Sequence, residues 1–253
     1  QAHAKILNID ASRAKALPGV KAVVTAQDLP KVLFGVLPLV SDQYPLATDK
    51  VRHYMEGVAA VAAIDEETAE EALQLIKVEY KPLPPVFDPL EAIKDGAPLI
   101  HELHKNNISI RITKSHGDVE KGFRESEYIR EDTFRTAPQG QAALEIHGCI
   151  SRWELDGSLT HWSSHQAPFG LQRGLAKMVG LEADRVRVIL PMIGGAFGGK
   201  TAMFPHDIIS AHLSKITGKP VKIILNREEV FHATNQRHPM TITLRTGVKR
   251  DGA

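Results

Sequence analysis

Several features that tie proteins to particular locations or ligands are scarce in this sequence. Cys149 is the single cysteine in 253 residues, so this chain alone builds no disulfide framework, thiolate zinc site or iron–sulfur cluster. No apolar run is long enough to cross a bilayer, and the N-terminus has no signal-peptide pattern. With 31 basic and 30 acidic residues, no charge excess points to nucleic acid. We therefore expect a cytoplasmic protein without nucleic-acid or membrane partners.

The remaining composition is that of an ordinary globular protein of two modest domains, with 43% hydrophobic and 24% charged residues. The sequence starts at Gln1 and not at Met, which indicates a piece of a longer protein. Up to about Pro85, short strand and helix candidates alternate, which predicts an α/β domain over residues 1–85. Its clearest unit is a strand at 58–64, a helix capped by Asp65 and a strand at 77–80, which we interpret as a βαβ element.

Closely spaced prolines at 82–85 and a polar stretch after them predict a linker over residues 86–114. The second domain, 115–253, is expected to begin as sheet. The expected strands are 128–136, 143–153, 159–163, 185–190, 221–225 and 241–246, with a hairpin turn at Asp156-Gly157. Pro168 begins a helix that Gly180 ends as a left-handed cap, and a second helix covers 206–216.

A glycine loop, Gly-Gly-Ala-Phe-Gly-Gly-Lys at residues 194–200, lies between a predicted strand and a predicted helix. Four glycines let the backbone approach a ligand closely and point several amides at it, which suits a phosphate-bearing ligand. A turn that needs its glycines only for tight packing is the simpler alternative. Phe197 argues against that alternative, because a large apolar side chain inside a glycine run needs something specific to pack on.

A nucleotide-binding P-loop is the sharper alternative for the same residues. Residues 194–201 satisfy G-x-x-x-x-G-K-[ST], in which Lys200 would reach the terminal phosphates and Thr201 would bind Mg²⁺. The next apolar strand ends in Asn226, however, and not in the carboxylate that would organise the metal. The loop also follows a hairpin region that is unlike the start of a doubly wound NTPase.

Three stretches resemble the molybdenum hydroxylases, the family of xanthine dehydrogenase, aldehyde oxidase and carbon monoxide dehydrogenase. Residues 2–20 with 58–81 resemble its a/b hammerhead domain, and Leu-Glu-Ile-His-Gly at 144–148 is similar to the Met-Glu-Pro-His element that opens its cofactor-binding domain. Ser-His-Gln at 164–166, followed by the glycine loop, carries the most specific match. The resemblance implies an α+β fold: a hammerhead-like α/β domain followed by the first part of a molybdopterin-binding domain.

The resemblance also implies roles for individual residues and for other components. It places Gln166 beside the metal as a hydrogen-bond donor to an oxo ligand, and Phe197 and Gly198 in contact with the cofactor. Gly194, Gly195 and Gly199 shape the loop, and Lys200 is given no role. The implied cofactor is a molybdopterin, in a dinucleotide form, that holds molybdenum through its dithiolene and needs no protein thiolate. Partners implied are the rest of the large subunit, [2Fe-2S] and FAD modules, and a small-molecule substrate.

The implied activity is hydroxylation of an aromatic, heterocyclic or aldehyde substrate with oxygen from water. No catalytic residue is expected within this chain, since the family's glutamate base would lie beyond Ala253. Thr201 stands where xanthine dehydrogenases commonly carry a substrate-binding glutamate, which argues against a purine. Residues 34–38 and 44–47 resemble the 4-hydroxybenzoyl-CoA reductase branch, so reductive dehydroxylation is an alternative. A noncatalytic assembly module of the same fold is another.

Other polar residues are expected to be structural. Glu145 and His147 would face the same side of one strand and hydrogen-bond there. Cys149 is expected to be buried and inert. Glu228 and Glu229 are expected to start a short helix. No metal ligands are assigned to the four histidines of the C-terminal part, which lack the close helical pairing of a zinc site: His206, His212, His232 and His238.

Overall fold

The computed structural model describes residues 1–35 and 40–252. Its strands are β1 Ala4–Asp10, β2 Val20–Thr25, β3 Lys50–Val51, β4 Ala59–Ala63, β5 Lys77–Pro82, β6 Tyr128–Thr136, β7 Gly148–Trp153, β8 Leu159–Ser163, β9 Val186–Ile189, β10 Val221–Ile224 and β11 Met240–Val248. Its helices are α1 Ser12–Ala16, α2 Glu66–Leu75, α3 Pro89–Ala92, α4 Val119–Glu125, α5 Pro168–Val179, α6 Pro205–Thr217 and α7 Arg227–Ala233, with short 3-10 helices at Lys105–Asn107 and Ala183–Arg185.

Two small sheets form the N-terminal part of the chain. One has the strand order β3-β1-β5 and the other pairs β2 with β4, all antiparallel. The side chain of Asp65 caps α2 by accepting from the Thr68 amide at 2.8 Å, as the sequence predicts. The βαβ interpretation is wrong, however, because β4 and β5 flank α2 in sequence but belong to different sheets.

A four-stranded mixed sheet, β10-β7-β8-β9, organises the second part. The hairpin of β7 and β8 is confirmed, although its first strand begins at Gly148 and not at residue 143. The predicted helix after Pro168 is also confirmed as α5, and Gly180 ends it with a φ of 72°. Strands β6 and β11 pair separately along nine residues each. Helices α5 and α6 pack together and on the mixed sheet.

The predicted linker contains some regular structure. Within residues 86–114 lie α3, capped by Asp88, and the 3-10 turn Lys105–Asn107. Helix α4, just after it, was not predicted from the sequence. The predicted short helix at Glu228 and Glu229 is confirmed as α7, which has a capping box between Asn226 and Glu229.

Helix α6 packs both on the mixed sheet and against the N-terminal part, which carries β1 to β5. Ile209 and Leu213 of this helix pack with Val24, Leu29 and Leu46 in one apolar cluster. Among the described residues, no helix has the length and hydropathy of a membrane span. Part of the stretch that resembles the reductase branch, residues 36–38, lies outside the described residues, and that subfamily assignment stays a prediction.

Candidate functional site

The glycine loop follows β9 and adopts an unusual backbone conformation. Gly195, Phe197 and Gly198 have φ values of 98°, 53° and 87°, all in the left-handed region. For a bulky residue such as Phe197 this conformation costs about 1–2 kcal/mol. Phe197 is 77% exposed, so burial within this chain does not offset the cost. A strained, exposed aromatic residue in a loop is a candidate ligand contact.

The four glycines of the loop have different surroundings. A Cβ atom at Gly194 would lie 2.8 Å from Cβ of Glu145, and one at Gly199 would lie 3.0 Å from Cδ of Gln141. At Gly198 a Cβ atom would meet no described atom within 4 Å. The loop therefore has a packed side, which requires Gly194 and Gly199, and an open side at Gly198 beside Phe197.

Gln166, three residues after β8, docks its side chain on this loop. Its Oε1 accepts from the backbone amides of Gly198 at 3.1 Å and Lys200 at 3.3 Å, and the Thr201 hydroxyl oxygen lies 3.3 Å away. Because both amides present hydrogens, the oxygen of the carboxamide is the atom that faces the loop. The side chain is exposed, and among the described residues its contacts run through the oxygen, so the N–H groups of Nε2 are free to donate.

Lys200 points into the protein. Its Nζ lies 2.6 Å from Oε2 of Glu145 and 2.8 Å from Oγ of Ser164, and the side chain is 1% exposed. In a P-loop this lysine would face the phosphates, and the helix would follow at once. Here α6 starts only at Pro205. The P-loop alternative is therefore wrong for this loop.

Glu145 and His147 lie before β7 and not within a strand, so the expectation based on strand alternation is wrong. Both nevertheless contact the packed side of the loop. Oε2 of Glu145 accepts from the Gly194 amide at 3.0 Å, while the ring Nε2 of His147 lies 3.1 Å from the Gly199 carbonyl oxygen. The contact of Glu145 with Lys200 was not predicted, because nothing local in the sequence indicates a pairing across 55 residues.

Burial and hydrogen bonds set the charges of these two groups. Burial raises the pKa of Glu145, but hydrogen bonds from Lys200, Ser164 and Gly194 outweigh it and leave the pKa below its usual value. Burial lowers the pKa of His147 to about 4. His147 is therefore neutral at pH 7, so its Nε2–H donates to Gly199, and its Nδ1 has no partner among the described residues.

A second polar cluster lies between the β7–β8 hairpin and α6. Oδ1 of Asp207 lies 3.1 Å from both the ring Nε2 of His161 and the Ser163 hydroxyl, while its Oδ2 accepts from the Phe204 amide. Cys149 is buried beside this cluster, and burial raises its pKa well above the ordinary value, as expected for an inert thiol. One ligand atom each of Cys149, His161 and Asp207 lies within 4.8 Å of the others. Hydrogen bonds already engage all three, which fits a structural role.

The donors of the open side fit a molybdopterin better than a metal held by protein side chains. That side presents main-chain amides, the Phe197 ring and the free N–H groups of Gln166. Such groups suit phosphate, pterin and oxo acceptors. The single thiol is buried and hydrogen-bonded elsewhere, so a thiolate ligand is not offered there.

Two family models match the chain. Residues 1–84 match the aldehyde oxidase and xanthine dehydrogenase a/b hammerhead domain, and residues 100–253 match the molybdopterin cofactor-binding domain. The chain is 36% identical to a probable xanthine dehydrogenase component of Bacillus subtilis, covering 99% of this chain and 33% of that protein. It is 35% identical to the nicotinate dehydrogenase large molybdopterin subunit of Eubacterium barkeri, covering 99% and 58%.

Solved structures also superpose closely on this chain. The chain superposes on CO dehydrogenase from Oligotropha carboxidovorans with a TM-score of 0.90 and 33% identity, covering 99% of this chain and 33% of that one. For quinoline 2-oxidoreductase from Pseudomonas putida 86 the TM-score is 0.90 at 27% identity, with 98% and 32% covered. The chain thus spans about a third of the length of most of these relatives.

Proposed function

The chain belongs to the molybdenum hydroxylase large-subunit family, and on this premise we propose that its glycine loop and Gln166 bind the molybdenum–pterin cofactor of a hydroxylating oxidoreductase. The observation that carries the proposal is the docking of the Gln166 oxygen on the amides of Gly198 and Lys200. This contact turns the N–H groups of Gln166 away from the loop and makes them available to an acceptor.

Individual residues have separate parts in this proposal. Gln166 donates to an oxo group, and Phe197 and Gly198 contact the pterin on the open side of the loop. Gly194, Gly195 and Gly199 give the loop its shape, as their positive φ or close packing supports. When bound, the cofactor supplies the two-electron chemistry that places oxygen from water on an electron-poor carbon. The chain's own residues bind and orient it.

The division of the chain and its surroundings are further parts of the proposal. We place a hammerhead domain at residues 1–85, a linker at 86–114 and the first half of the cofactor-binding domain at 115–253. The remainder of the large subunit would supply a glutamate base, and [2Fe-2S] and FAD modules would carry electrons away. The dinucleotide form of the pterin and a cytoplasmic location complete the proposal. The unpaired, buried Cys149 is consistent with that location.

The substrate in this proposal is an aromatic, heterocyclic or aldehyde molecule. Relatives named for nicotinate and quinoline support the heterocyclic class. Thr201 follows the loop lysine here, so a side-chain carboxylate for a purine is missing at that position. Its hydroxyl already donates to the Gly198 carbonyl oxygen at 3.0 Å and is a poor substitute.

Metal and pterin analysis of the native complex tests the proposal. We expect stoichiometric molybdenum and pterin in the wild-type complex, and turnover of heterocycles or aldehydes. Gln166→Glu keeps an oxygen toward the loop but removes the N–H donors. We expect it to retain pterin while kcat falls by roughly ten- to a hundredfold.

A matched control is Gln172→Ala, since Gln172 also hydrogen-bonds backbone but does so away from the loop, at Ala183 and Val186. We expect this variant to keep its kcat. Substoichiometric molybdenum together with tight ATP binding would sink the proposal. Stoichiometric pterin without turnover of any such substrate would identify a noncatalytic assembly module instead.

A further inference from the structure

One carboxylate oxygen joins three separate pieces of the candidate site. Oε2 of Glu145 accepts from the Gly194 amide at the start of the loop at 3.0 Å, and from Lys200 Nζ at its end at 2.6 Å. It also accepts from the Ser164 hydroxyl at 2.6 Å. The ends of the loop and the end of the hairpin that leads to Gln166 are thus held at one point.

The two charged side chains of this arrangement differ in burial. Lys200 is 1% exposed, whereas the Glu145 side chain is 33% exposed. A buried ammonium needs a close negative partner and further hydrogen-bond acceptors. Lys200 finds both in Glu145 and Ser164, the latter 2.8 Å away. The position of the Lys200 side chain is therefore fixed by these two groups.

Gln166 hydrogen-bonds to the backbone of Lys200 at two points. The backbone amide of Gln166 donates to the Lys200 carbonyl oxygen at 2.8 Å, and the backbone amide of Lys200 donates to the side-chain Oε1 of Gln166 at 3.3 Å. Gln166 is thus bonded in both directions to the residue that Glu145 holds. A loosened Lys200 would release the carboxamide from the loop and with it the direction of its N–H groups.

We propose that Glu145, acting through Lys200 and Ser164, is a positioning residue that clamps the glycine loop and orients the Gln166 carboxamide toward the cofactor. This inference rests on the proposed function for its catalytic consequence. Its structural half, the clamp, concerns only residues of this chain. Glu145 is not a catalytic residue, since it contacts the packed side of the loop.

The first test measures the loop itself. Hydrogen exchange is followed by mass spectrometry in peptides from residues 191–203 of the full large subunit, prepared without cofactor. We expect Glu145→Gln to speed this exchange at least about tenfold, because the loop loses the charge that holds both its ends. In the cofactor-loaded complex, we expect lower pterin content, a changed Mo(V) electron paramagnetic resonance signal and a kcat reduced roughly ten- to a hundredfold.

Two further variants separate the ion pair from the hydrogen bonds that Glu145 accepts. Ser164→Ala removes one hydroxyl and keeps both charges, so it serves if Glu145→Gln does not fold, and a smaller change of the same sign is expected. The exchanged pair Glu145→Lys with Lys200→Glu preserves the ion pair but places an ammonium at the Gly194 amide. Since an ammonium cannot accept a hydrogen bond, we expect no rescue. Full rescue would mean that only the ion pair matters and would overturn the clamp.

Ser214→Ala is the matched control, because Ser214 is a buried serine with hydrogen bonds to the Trp153 amide and the Lys219 carbonyl oxygen, away from the loop. Glu145→Gln behaving like this control in loop exchange, pterin content and spectrum would refute the clamp. A wild-type complex without molybdenum would refute the proposed function alone, since the exchange measurement uses cofactor-free protein.

Discussion

Phe197 illustrates, at the scale of one residue, a conflict between stability and binding. Its φ of 53° is unfavourable for a phenylalanine and readily adopted by asparagine. We expect Phe197→Asn to leave the stability of the cofactor-free subunit unchanged or to raise it by up to about 1 kcal/mol. The same change removes the ring from the open side of the loop, so pterin should dissociate faster. Chemical unfolding and pterin release measure the two effects.

Phe87→Asn provides the comparison, since Phe87 is 84% exposed and lies outside the loop. Pterin release should be unaffected by that variant. A Phe197→Asn protein clearly less stable than wild type would show that the ring stabilises the fold, and one that keeps pterin equally well would show that the ring does not bind the cofactor.

Helix α6 is the element on which both parts of the chain depend. Its N-terminal turn carries Asp207, which accepts from the hairpin side chains of His161 and Ser163, and its middle carries Leu213, which packs with the N-terminal part. The glycine loop ends a few residues before it begins. A movement of α6 would therefore displace both the glycine loop and the contact of α6 with β2 and β4.

Leu213→Ala tests this role of α6. Leu213 is 0% exposed, so we expect a loss of roughly 2–5 kcal/mol of stability. We also expect faster hydrogen exchange in β2 and β4, since these strands contact α6. Leu175→Ala removes the same atoms from a fully buried site in the other large cluster. Equal exchange in β2 and β4 for both variants would contradict a linking role for α6.

Elements with local signals were predicted well from the sequence. The turn between β7 and β8, the proline and glycine at the ends of α5, and the Asp65 cap are all set by neighbouring residues. The family and the α+β fold class were also predicted correctly.

The failures have a common physical origin in long-range pairing. Strand β5 pairs with β1, some 70 positions away, so its neighbour β4 gave no hint that the βαβ interpretation was wrong. Likewise the partners of the Lys200 side chain lie 36 and 55 positions upstream. The roles of Gln166, Phe197 and Gly198 remain predictions, now with a geometry that supports them.

At the scale of the whole molecule, buried histidines determine how stability depends on pH. Burial is the main cause that lowers the pKa of five histidines, of which the first is half-buried and the other four are buried: His101, His147, His165, His206 and His212. In the folded state they stay neutral at a pH where the unfolded chain is already protonated. The unfolded state then binds more protons, so stability rises with pH in this range.

We therefore expect stability to begin to fall near pH 6.5, before the carboxylates titrate. For His147 the pKa falls from 6.5 to about 4, which corresponds to roughly 3 kcal/mol lost as pH falls through that window. We expect the apparent melting temperature of the subunit to drop steeply between pH 6.5 and pH 4.

The variants His147→Gln and His212→Gln should each flatten the dependence of melting temperature on pH, because each removes one proton-binding site from the unfolded chain. Measured at pH 8, where the five histidines are neutral in both states, the same variants report only their lost contacts. Equal melting temperatures at pH 7 and pH 5, or variants as acid-sensitive as wild type, would show that the histidines are not the cause.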